Sequence, residues 1–169
     1  MRINKYLSKS GLASRRKCDK YIEHGLIKVN GKVVKDFSYQ ISKNDYVQYK
    51  NKYLSIEESY YYFILNKPKK YICSKKDMYN RKTIYTLIPN DSVFTVGRLD
   101  YNTSGIIFLT NDGDFCNDLT QPKNKIVKKY YVITNNKINH RQIESIDSGI
   151  KINKKSMKGK FKLIEENKS

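Results

Sequence analysis

The sequence predicts an α+β protein in which a small N-terminal helix–helix–hairpin module precedes a larger domain built on a mixed, largely antiparallel sheet. Three observations predict it. Helical apolar spacing in residues 3–22 gives way to strict alternation around Asn30-Gly31. From residue 61 onward, short apolar runs separated by turn formers recur, with only occasional helical stretches. Between the two, "NKYLSIEESY" loses both periodicities, so 1–50, 51–60 and 61–169 are expected as module, linker and sheet domain.

Ile3, Tyr6 and Leu7 fall on one helical face, and Gly11 ends that helix. Ser14 is a good N-cap for a second helix through Arg15, Arg16, Lys17 and Lys20, with Tyr21 and Ile22 as its later apolar positions. "LIKVNGKVV" reads as a hairpin, and "DYVQY" adds a strand. In the second part, "YYFILNKPKKYICS" predicts a strand, a Lys67-Pro68 turn and another strand, and "TIYTLIP" a short helix stopped at Pro89. "VFTVG" and "GIIFLTNDG" are strands flanking the turn "GRLDYNTSG". A helix is expected over 114–120, a strand at "KKYYVIT", a helix from Asn139 and a last strand at "FKLIE".

The chain carries 34 Lys+Arg against 16 Asp+Glu, a net charge of +18. A charge that large attracts a polyanion through counterion release, so nucleic acid is the first candidate partner. Half of the excess sits in residues 1–55, where 13 cations face 4 acids. Such a concentration predicts a dedicated basic module. Ser14, Arg15, Arg16 and Lys17 open the second helix, where backbone N–H groups suit a phosphate. With Arg2 and Lys5 they form the candidate nucleic-acid contact. Three scattered cysteines and two lone histidines argue for neither a disulfide framework nor a zinc site. The absence of an apolar run near 18 residues argues against a membrane span, and a cytoplasmic location is expected.

Asp100 is the residue of interest in the second part. Gly, Asn, Thr and Ser around it are turn formers, and an aspartate there can be simple punctuation. It can equally be a nucleophile or a general base, held out by a rigid sheet. Local chemistry leaves both open.

"RINKYLSKSGLASRRKCDKYIEHGLIKVNGKVV" resembles the alpha-L RNA-binding domain named after a small-subunit ribosomal protein, in helix spacing, S-R-R and the hairpin together. "GRLDYNTSGIIFLTNDGDF" is similar, nearly residue for residue, to the active-site motif of the RsuA/RluB-type rRNA pseudouridine synthases. "LNKPKKYICSKKD" with "RKTIYTLIP" resembles the motif before it, and "KKYYV" the one after.

The resemblance implies isomerisation of uridine to pseudouridine in ribosomal RNA by a monomer that needs no cofactor and no metal. Asp100 would be the essential carboxylate. Tyr130 would stack on the target uracil and assist loss of the carbon-five proton. Arg98 would hold the flipped-out nucleotide or fill its space, and Lys67, in the first motif, would join the RNA contacts. Two departures stand out. Lys70 replaces the glycine usual after "KP", predicting a differently shaped loop. The chain also stops at Ser169, where relatives continue to a basic G-[RK]-N-R-Q-[IV]-R-R motif, so the catalytic domain is expected to lack its C-terminal part. The alternative function is therefore a non-catalytic rRNA-binding or ribosome-assembly protein; a binder selected for charge alone is a third.

Overall fold

The computed structural model describes residues 1–56, 59–90, 92–152, 155–157 and 159–164, without the side chains of 152 and 155–157. The chain divides into two compact units, Met1–Ile126 and Val127–Ser169.

The first unit opens with α1 (Ile3–Lys9) and α2 (Arg15–Glu23). Ser14 is the residue before α2, as its type predicts, yet its side chain makes no capping hydrogen bond. Its backbone carbonyl accepts from Lys17 and Cys18, both at 2.9 Å. A four-stranded antiparallel sheet follows: β1 (Ile27–Val29), β2 (Lys32–Val33), β3 (Val47–Tyr49) and β4 (Lys52–Leu54), in the order β2-β1-β3-β4. The β1–β2 turn works because Asn30 and Gly31 both take positive φ, 52° and 78°, which these residue types tolerate best. Strand β4 lies in the segment expected as linker; its partner β3 supplies the ladder that its own weak alternation did not announce.

Ile3 and Leu7 of α1, Cys18 and Ile22 of α2, and Ile27, Val29, Val34, Ile41 and Val47 form one apolar core. Each aliphatic side chain fully buried there contributes about 1.5–3 kcal/mol. The chain start is pinned beside it: the Met1 amino group donates to Ile41 O (2.8 Å) and Ile3 N–H to Tyr39 O (2.9 Å).

The second sheet has β5 (Tyr62–Lys67), β6 (Phe94–Val96) and β7 (Gly105–Thr110) in the antiparallel order β5-β7-β6. The pairs Phe63↔Leu109 and Leu65↔Ile107 share one face. With Ile84 and Val93, Ile107 and Leu109 make a second, smaller core. The expected strand at "YICS" is reduced to a single parallel bridge, Ile72↔Thr83, and the expected helix at "TIYTLIP" to one 3-10 turn, Ile84–Leu87. The β-branched residues and the proline leave too short a run for a helix. Helix α3 (Gly113–Thr120) closes the series, capped by the Asp112 side chain, which accepts from the N–H groups of Asp114 (2.9 Å) and Phe115 (3.2 Å).

The second unit contains α4 (His140–Ser148) and a hairpin of β8 (Ile150–Ile152) with β9 (Lys155–Met157). The helix begins at the expected place through a capping box: Asn139 Oδ1 accepts from Gln142 N–H and Gln142 Oε1 from Asn139 N–H, both at 2.9 Å. "KKYYVIT" is not a strand, and residues 161–164 of the expected final strand are irregular; residue 165 lies outside the described residues. Apolar alternation makes a strand only where a neighbour completes its ladder, and among the described residues neither segment has one.

Candidate active site

The turn 97–104 joins β6 to β7, and its conformation is set by ties reaching up from below. Gly97 opens it at φ 75°, a value glycine adopts freely. Thr103 N–H donates to Asp100 O (3.1 Å), closing a tight turn. Leu99 is clamped by Cys73, whose Sγ accepts from Leu99 N–H (3.5 Å) and donates to Leu99 O (3.4 Å). Lys70 N–H donates to Tyr101 O (2.7 Å), and Lys67 Nζ to Thr103 O (2.7 Å) and Pro68 O (3.0 Å). Backbone at 99, 101 and 103 is thus tied down, while the side chains of Arg98 and Asp100 stand in solvent. Among the described residues Asp100 makes no ion pair, with Arg98 or any other cation. Its carboxylate is open to a ligand.

Lys67 departs from expectation. Placed by the sequence among the RNA contacts, it is fully buried, and its amino group is spent on two backbone carbonyls. A lysine whose stem lies in a core and whose head satisfies buried carbonyls cannot also reach a phosphate in solvent. Lys70 departs too: it takes φ 65°, the left-handed conformation a glycine would adopt. The loop therefore keeps the glycine-like shape at some conformational cost.

At the N-terminal module, Arg2, Ser14, Arg15, Arg16 and Lys17 are exposed near the starts of the two helices. Arg15 Nη2 reaches Asn4 Oδ1 (3.3 Å), and Lys17 Nζ lies 5.7 Å from the Tyr21 ring centroid. Lys5 is engaged elsewhere, in an ion pair with Asp114 of α3 at 2.6 Å; Lys9 joins it at 3.4 Å. Hydrogen bonding from Lys5 holds the Asp114 carboxyl below the usual carboxylate range. Tyr130, in the second unit, is exposed and in irregular backbone.

Sequence reasoning missed Cys73, Asp77, Arg81 and Asp114. The i,i+4 spacing of Asp77 and Arg81 was the one available signal; nothing local marks the others. Among the described residues no three His, Cys, Asp or Glu side chains gather as metal ligands would, and no helix is long and apolar enough to cross a membrane.

The structure thus sets an aspartate on a turn of an antiparallel sheet behind a basic helical module, an α+β architecture whose family the comparison with known proteins gives. The RNA pseudouridylate synthase family matches residues 61–169 and the S4 domain matches residues 1–47. The chain belongs to the RNA pseudouridylate synthase family, of the S4-containing RsuA/RluB/RluF type. It is 39% identical over 156 residues to an uncharacterized RNA pseudouridine synthase of Aquifex aeolicus, covering 90% of this chain and 62% of that protein. It is 34% identical over 170 residues to ribosomal large subunit pseudouridine synthase B of Bacillus subtilis, covering 99% of this chain and 69% of that one. A crystal structure of a pseudouridylate synthase superposes with a TM-score of 0.57 at 28% identity, over 94% of this chain and 70% of the other. The chain thus spans about two-thirds of the length of these relatives.

Proposed function

We propose that this protein isomerises uridine to pseudouridine in ribosomal RNA, with Asp100 as the essential carboxylate. The observation that carries the reading is the turn itself: within the segment matched by the family, three backbone ties hold the loop and leave the Asp100 carboxylate solvent-exposed and unpaired. Ribosomal RNA as substrate is supported by the relatives, among them a ribosomal large subunit synthase of Bacillus subtilis and a ribosomal small subunit synthase of Haemophilus influenzae.

In the reaction the ribose C1′–N1 bond breaks, the uracil turns, and a C1′–C5 bond forms; the carbon-five proton leaves and N1 gains one. No redox change occurs and no cofactor is consumed. The glycosidic bond is out of reach in a stacked helix, so the nucleotide must be extruded at a cost of about a few kcal/mol. Contacts to phosphate by Arg2, Ser14, Arg15, Arg16 and Lys17, with Arg98 at the extruded nucleotide and Tyr130 stacked on its uracil, offset that cost. Lys67 serves beneath the turn rather than on the RNA.

The test is release of tritium from carbon five of labelled uridine in ribosomal RNA. The wild-type chain releases it and Asp100→Asn does not, while both bind RNA equally. Equal release by the two proteins would remove Asp100 from the chemistry. A folded wild-type chain that binds rRNA without release would leave an RNA-binding protein in place of an enzyme.

A further inference from the structure

Beside the Asp100 turn lies a second cluster that the roles above leave unused: Asp77, Tyr79, Arg81 and Tyr101. Arg81 Nη2 donates to Asp77 Oδ1 at 2.7 Å, and its Nε to Oδ2 at 3.1 Å. Asp77 Oδ2 also accepts from the backbone N–H groups of Arg81 (2.8 Å) and Tyr79 (3.2 Å), so carboxylate, guanidinium and loop are locked together. The guanidinium carbon then lies 5.1 Å from the ring centroid of Tyr79 and 5.8 Å from that of Tyr101, the residue directly after Asp100. A planar cation is thus set against two phenol rings, one of them adjacent in sequence to the reactive carboxylate.

Packing alone does not account for the arrangement. Tyr79 is 74% exposed and Met78 92% exposed, so this part of the loop keeps a flat, sticky surface in water. The surrounding segment, 69–82, holds six cations and one acid, the acid being Asp77, already paired with Arg81. Flat π surface and surplus positive charge together suit a partner that alternates aromatic faces with anions, which is single-stranded nucleic acid. Because Arg81 and its carboxylate are fixed before any ligand arrives, little order is lost on binding.

The geometry points to a stacking platform, formed by Tyr79, Arg81 and Tyr101, for an unpaired base that flanks the target uridine. The inference rests on the reading of Asp100 as the site of uridine chemistry, since that is what places the flanking nucleotide here. Tyr79 supplies the exposed face and Arg81 holds its ring. Extruding a uridine leaves its neighbours without a stacking partner, and the platform provides one.

The experiment uses the full chain carrying Asp100→Asn, so that binding is read without turnover. Two probes are compared: a seven-nucleotide single-stranded RNA with a central uridine flanked by adenosines, and the same RNA with abasic riboses at the two flanking positions. The base-bearing probe is expected to bind roughly tenfold more tightly, in the range of one aromatic–base stack. Adding Tyr79→Leu abolishes the preference, both probes then binding as the abasic one did, and Tyr79→Phe restores it. Tyr79 is exposed enough for these changes to leave the fold intact, which an unchanged melting temperature verifies. Equal binding of the two probes before the tyrosine is changed, or the same preference after Tyr79→Leu, overturns the platform. Probe preference together with absent tritium release from the wild-type chain overturns the isomerase reading, and with it the flanking-base assignment, leaving a stacking site for unpaired RNA; release without preference overturns the platform and leaves the isomerase reading standing.

Discussion

A single side chain, Lys67, shows how burial redefines a residue's role. Its amino group spans from β5 to the far side of the turn, and Lys67→Met leaves the carbonyls of Pro68 and Thr103 without a donor. That change is expected to lower stability by about 2–4 kcal/mol in urea denaturation. It should cut tritium release at least tenfold while shifting RNA affinity less than twofold; a phosphate contact would show the opposite pattern. Asp77 gives a second residue-scale expectation. Hydrogen bonds from Arg81, side chain first and then backbone, hold its carboxyl down to about 2 against an ordinary 3.8. A depressed carboxyl stabilises the folded loop above the unfolded value and loses that contribution as pH falls through the folded one. The loop is therefore insensitive to pH between 5 and 8 and loosens only between about 4 and 2. A carboxyl NMR titration of Asp77 should find its midpoint near 2, and Arg81→Gln should return it toward an ordinary carboxylate value.

Among the elements, those whose side-chain pattern is completed locally were legible, and those needing a distant partner were not. The hairpin at Asn30-Gly31 and the starts of α3 and α4 stand where turn formers and helix-start signals put them, whereas β5 was legible as a strand but its pairing with the distant β7 was not. "YICS" and "KKYYVIT" alternate just as well, but alternation specifies only a face, and the ladder must come from elsewhere. In the β5–β6 connection, Lys70 bears left-handed strain while its N–H holds the Asp100 turn at Tyr101. Lys70→Gly removes the Cβ conflict, and thermal unfolding should show about 1 kcal/mol of added stability with the turn unchanged. A loss of stability would mean that the lysine side chain contributes more than its backbone costs.

Across the whole molecule the dominant property is charge. RNA affinity should fall linearly with the logarithm of salt concentration, and Arg15→Gln should flatten that slope by about 0.7–0.9, one phosphate contact's worth. Lys5 behaves differently, because Asp114 already holds it together with Lys9. An exposed pair of this kind contributes at most about 1 kcal/mol, so a phosphate can compete for the lysines. Asp114→Asn is expected to tighten RNA binding several-fold at low salt and to lose that advantage at high salt; unchanged affinity would show that Lys5 and Lys9 do not take part.

The sequence by itself determined the α+β class, the basic N-terminal module, the hairpin, the helix positions and the turn carrying Arg98 and Asp100. All of these depend on residues within a few positions of one another, where periodicity and turn chemistry act. Tertiary structure alone decided that Lys67 is a tether, that Lys5 is paired, that Cys73 clamps Leu99 and that Arg81 reaches the ring of Tyr101. Lys67 meets Thr103 across 36 positions and Lys5 meets Asp114 across 109. Contacts at that separation exist only once the sheets and helices have packed, and the desolvation that turns an exposed lysine into a buried support is a property of that packing.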